Sequence, residues 1–101
     1  MITVTANELA KLVADDLGAL RAMLTEIDAM FDRVVPGPER DAMIRHTAKV
    51  RLLTAELPMR IAERGPFKDR AHIERCAQGE VRRVLIALTE AEIFLKTVGS
   101  A

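Results

Sequence analysis

Apolar residues recur at helical spacing from Leu9 to Val98, interrupted only at Pro36-Gly37-Pro38 and Gly65-Pro66. Apolar positions three and four apart mark one face of a helix, and Pro and Gly punctuate it. The pattern predicts three long amphipathic helices over about residues 6–34, 38–64 and 68–98. Short turns between long helices make neighbours antiparallel, so the expected fold is all-α, an up-down-up three-helix bundle. At 101 residues the chain is expected to form one domain, residues 1–101.

Thr5 with Glu8 three residues on is a capping-box pattern, which starts the first helix near Ala6. Leu9, Leu12, Val13, Leu17, Leu20, Met23, Leu24, Ile27, Met30, Phe31 and Val34 then fall on one arc at 100° per residue. Asp16 falls inside that arc. A lone carboxylate there is costly to bury, so Asp16 is expected to meet a cation or to sit where the stripe reaches solvent.

Pro38 suits the first position of the second helix, and Glu39 suits its first turn. The main stripe of this helix is Met43, Val50, Leu53, Leu57 and Ile61. A second row, Ile44, Ala48, Leu52, Ala55 and Met59, extends the apolar surface beyond what one neighbour covers. The second helix is therefore expected to be central or to join an oligomer interface. Pro58 removes a backbone donor and opposes the Thr54 carbonyl, which predicts a kink there, with a break into two helices as the alternative. In the third helix Ile73, Ala77, Val81, Val84, Leu88, Ala91 and Leu95 form the core face, and Phe67 packs under the preceding turn.

Charge alters this picture only locally. The chain has 15 basic and 15 acidic residues. Residues 1–37 carry three basic and six acidic groups, and residues 38–83 carry eleven and seven, giving −3 and +4. Electrostatic steering would thus come from the second and third helices. Cys76 is the only cysteine, which excludes an internal disulfide and suits a reducing cytoplasm. No secretory pattern opens the chain, and no apolar run approaches the roughly 20 residues that span a bilayer.

Candidate chemistry is sparse. In Arg45-His46-Thr47-Ala48-Lys49-Val50, a histidine sits three residues before a lysine. These few residues resemble the phosphoacceptor stretch of histidine phosphotransfer domains, which are helical bundles. The resemblance implies His46 as phosphoacceptor and Lys49 as its electrostatic helper. Those domains usually have a glycine directly after the lysine, where this chain has Val50. On a helical wheel His46 also lies between Leu53 and Leu57, so a histidine at the rim of a helix contact is the plainer reading. His72 and Cys76 offer two ligands at helical spacing, fewer than the three or four a zinc site uses, so no metal and no cofactor is expected. No phosphate-binding loop, nucleophile-base-acid arrangement or paired carboxylate frame occurs, and no enzymatic activity is expected.

The outer face of the third helix offers more. Ile86 and Ile93 stand one heptad apart, away from the core stripe, beside Arg75 and Arg82. Stacked β-branched residues edged by arginine resemble anchors of a helix-mediated protein contact; the alternative is a core broad enough to include them. Nucleic-acid binding fits the basic middle of the chain. It lacks Trp and Tyr, however, and Phe31, Phe67 and Phe94 are assigned to packing or turns. Mixed charge also argues against a membrane surface. The sequence points to a small regulatory adaptor or chaperone-like homodimer that binds another protein. A phosphotransfer protein is the alternative and a DNA-binding regulator the second alternative.

Overall fold

In the computed structural model, residues 1–99 are described, and among them every regular element is helical. Residues 100 and 101 of the expected domain lie outside the described part. Four α-helices follow one another: α1 (Ala6–Leu12), α2 (Ala14–Met30), α3 (Pro38–Ala62) and α4 (Arg70–Gly99), with a single 3-10 turn at Phe31–Arg33. The molecule is elongated, 52 × 19 × 17 Å. That length follows from α4, whose 30 residues at 1.5 Å each span about 45 Å.

The first expected helix is therefore two. Val13 leaves the helical region, with φ −103° and ψ 19°, while its N–H still reaches the Leu9 carbonyl and its own carbonyl accepts from Leu17 N. Val13 is β-branched and pays little for leaving a helix. Asp15 and Asp16 behind it favour a new helix start, because carboxylates are stabilised by the free N–H groups of a first turn. Both helices keep their apolar residues inward, so Leu9, Val13, Leu17, Leu20, Leu24, Ile27, Phe31 and Val34 form a continuous buried row. Leu12, at the edge of the arc, is 41% exposed rather than core. Asp16 is exposed, lining a shallow cleft with Leu12, Val13, Glu74, Ala77 and Gln78.

The ends of the helices are fixed by local hydrogen bonds. Thr5 Oγ1 accepts from Glu8 N at 3.2 Å, as a capping threonine should. The Glu8 carboxylate accepts from the Thr5 hydroxyl at 3.0 Å, rather than reaching the Thr5 backbone N–H. Pro38 opens α3 at its first turn, and the helix continues through Pro58 to Ala62 without dividing. Helix α4 begins at Arg70, two residues later than the spacing suggested, because Asp69 supplies the cap. Its Oδ1 accepts from His72 N at 2.8 Å.

The turn between α3 and α4 is tied to the N-terminus. Ile2 and Phe67 exchange two backbone hydrogen bonds, of 2.6 and 2.7 Å, around a cis Gly65-Pro66 bond. Phe67 is completely buried beneath this turn and meets His72 edge to face, with ring centroids 5.5 Å apart. Gly65 lies so close to that ring that a Cβ would stand 2.9 Å from Phe67 Cε2. Helix α3 packs against both α1 and α4, and α2 packs against α4. The core between them comes from the stripes the spacing picked out, Val50, Leu57 and Ile61 on α3 and Ile73, Ala77, Val84, Leu88, Ala91 and Leu95 on α4.

Candidate functional site

Helix α4 turns its core stripe inward and leaves the opposite side in water. Ile86 and Ile93 are 51% and 60% exposed, and Arg75 and Arg82 are exposed beside them. A heptad is close to two helical turns, which places both isoleucines on one line about 10 Å apart along the axis. Neither arginine makes an ion pair among the described residues. The core does not extend to this face.

Helix α3 has a second such face. Ile44, Leu52 and Met59 are 43%, 59% and 49% exposed, with exposed Ala48 and Ala55 between them. All five lie opposite Leu57, which has no exposed surface. Beside the row, α2 and α3 enclose an open groove of about 340 Å³ lined by Asp28, Phe31, Ile44, Thr47, Ala48 and Arg51. Arg51 closes one side, its Nη2 donating to both Asp28 carboxylate oxygens at 2.8 Å, a charge-assisted pair half-exposed to water. Thr25, Thr54, Thr89 and Thr97 each donate to the carbonyl four residues back, whereas the buried Thr47 Oγ1 has no partner among the described residues.

His46 does not stand clear of the bundle. It is half-buried, with Nε2 3.5 Å from the Ala87 carbonyl oxygen of α4, while Lys49 is exposed. A proton on Nε2 is held toward that carbonyl, and a phosphoryl group on this nitrogen would have to displace α4. His72 is engaged locally, its Nδ1 accepting from Lys68 N at 3.1 Å. Cys76 is a half-buried free thiol. Among the described residues no three His, Cys, Asp or Glu side chains are gathered to hold a metal ion.

Two ion pairs tie distant parts of the described chain together, Asp28 of α2 with Arg51 of α3 and Arg64 of the turn after α3 with Glu80 of α4. Glu80 is buried on α4, where its carboxylate accepts from Arg64 Nε at 2.7 Å and from Arg64 Nη2. Its signal was present in the sequence, since residue 80 continues the spacing of Ile73, Ala77 and Val84 and puts a carboxylate on the core face. The Asp28–Arg51 pair had no such signal, because both residues belong to polar faces whose meeting depends on how α2 lies against α3. On α4, Lys96 has its pKa raised by the Glu92 carboxylate, which accepts from Nζ at 2.7 Å, and by the more distant charge of Glu26.

No described helix is long and apolar enough to cross a membrane. Comparison with protein-family models, with characterised proteins and with solved structures gave no match for this chain.

Proposed function

We propose that this chain is a non-catalytic regulatory adaptor or chaperone-like protein, a homodimer that presents helix faces to another protein in a reducing cytoplasm. In this reading α1 and α2 act as one rod, and with α3, bent near Pro58, and α4 they make an up-down-up bundle. Three pairings support that course: Ile2 with Phe67, Asp28 with Arg51 and Arg64 with Glu80. The observation that carries the function is the α4 face, two exposed isoleucines in line with two arginines unpaired among the described residues. Arginine is enriched among the residues that dominate protein contacts, and an amphipathic helix presents its apolar anchors in line on one face. Ile86 and Ile93 would enter the partner's apolar pockets, and Arg75 and Arg82 would meet its carboxylates or carbonyls.

The test is capture from native cytosol with wild type, Arg82→Glu and Ile86→Asp side by side, each shown by circular dichroism to keep its helices. Proteins held by wild type and released by both variants support the assignment. Equal retention by all three overturns it. Retention that falls steeply between about 50 and 200 mM salt and depends on DNA would favour the DNA-binding regulator instead.

A further inference from the structure

Along the outer face of α3 the apolar residues alternate in size: Ile44, Ala48, Leu52, Ala55, Met59, Ala62; the first five are exposed, and Ala62 at the end of the row is half-buried against the core. At 100° per residue they occupy an arc of about 80° centred opposite Leu57. The three large members are between 43% and 59% exposed, so the bundle leaves about half of each uncovered. Read backwards, the order becomes small, large, small, large, small, large. A copy of α3 laid antiparallel on this face therefore sets Ile44 on Ala62, Leu52 on Ala55 and Met59 on Ala48. Each alanine admits the side chain across from it, and the helices approach closely. A parallel copy in register sets Leu52 on Leu52 and Ala55 on Ala55, which holds the helices apart at one level and leaves a gap at the next.

The charges beside the row favour the same arrangement. On one flank the N-terminal half of α3 carries exposed Arg45 and Lys49, the C-terminal half carries half-buried Glu56, and exposed Glu63 follows at the cap. A two-fold axis between the copies brings this flank against itself in reverse. Lys49 then meets Glu56 of the second copy and Arg45 meets Glu63, and the axis repeats both pairs. Glu56 also holds Arg60 of its own helix at 3.4 Å, which draws that cation away from the facing Arg45.

We propose that the outer face of α3 is the self-association surface of this protein, and that its occupant is a second copy whose α3 runs antiparallel. This rests on the homodimer in the proposed function and adds to it which face is used and in which orientation. The α4 face stays free for another protein.

Sedimentation equilibrium of the full chain tests it. Wild type is expected at twice the 11.2 kDa chain mass, and Leu52→Glu at the single mass with its helices intact. Lys49→Glu is expected to weaken association about tenfold, and Lys49→Glu with Glu56→Lys to recover it. Orientation is read by cysteine cross-linking in a Cys76→Ser background. Ala48→Cys and Met59→Cys chains should form a disulfide when mixed and little when oxidised separately. Cross-linking of each alone, with none between them, overturns the antiparallel arrangement. A wild-type dimer unaffected by Leu52→Glu and broken by Ile86→Asp keeps the homodimer but overturns this surface. A wild type that stays at the single mass removes the homodimer and this inference together.

Discussion

Helix α3 carries two apolar stripes of similar composition on opposite sides, and they have different fates. Val50, Leu57 and Ile61 are at most 2% exposed, whereas Ile44, Leu52 and Met59 are all above 40%. The inner stripe meets α1 and α4, which between them occupy one side of the helix. The outer stripe borders α2 only at its N-terminal end, where Ile44 and Ala48 line the groove, while Leu52 and Met59 stay about half exposed. The difference teaches that a sequence pattern reports how much apolar surface a helix has, while the number of neighbours decides how much the fold can cover. An apolar row the fold leaves uncovered is the natural place for a contact with another chain.

The largest expected effect lies on the inner side. Leu57→Ala should lower unfolding free energy by about 2–5 kcal/mol, since it removes buried contacts and leaves a cavity, without changing the assembly state of whatever remains folded. Denaturant titration measures it, and a loss under about 1 kcal/mol would mean the inner side is looser than its burial implies. Next is the turn that closes the inner face. Gly65→Ala should cost about 1–3 kcal/mol, because the new methyl must displace the fully buried Phe67 ring. Glu80→Ala, which removes the carboxylate from Arg64, should cost about 1–2 kcal/mol, the partly exposed guanidinium being able to turn to water. The smallest effect belongs to the outer stripe. At protein concentrations low enough to keep the chain monomeric, Leu52→Ala should change stability by no more than about 0.5 kcal/mol. Its cost should grow as concentration rises, since association adds to the stability of the folded state. A concentration-independent loss as large as that of Leu57→Ala would erase the distinction between the stripes.

Much of the architecture is legible in the amino-acid sequence. The two Gly/Pro turns, the inner stripes, the Thr5 cap and the outward position of Ile86 and Ile93 all follow from local spacing, which a helix obeys whatever surrounds it. The division at Val13 was not legible, because no Gly or Pro marks it and its cause is a modest local preference. The pairing of Arg51 with Asp28, 23 residues apart in sequence, depends on how two helices lie together, which periodicity does not report. Glu80 stood on the core face in plain view, yet its partner Arg64 is placed by the turn after α3. For the outer row of α3, spacing revealed the apolar residues but not which neighbours would be missing. The candidate site was visible as residues and hidden as a surface.

Methyl resonances of Ile44, Leu52 and Met59 followed through a dilution series, with Leu57 and Ile61 as internal references, test the central claim most directly. The outer methyls should shift with concentration while the inner methyls stay constant, because only the outer stripe gains a neighbour when two copies meet. Concentration-dependent shifts confined to Ile86 and Ile93, or no shifts at any concentration, would contradict it.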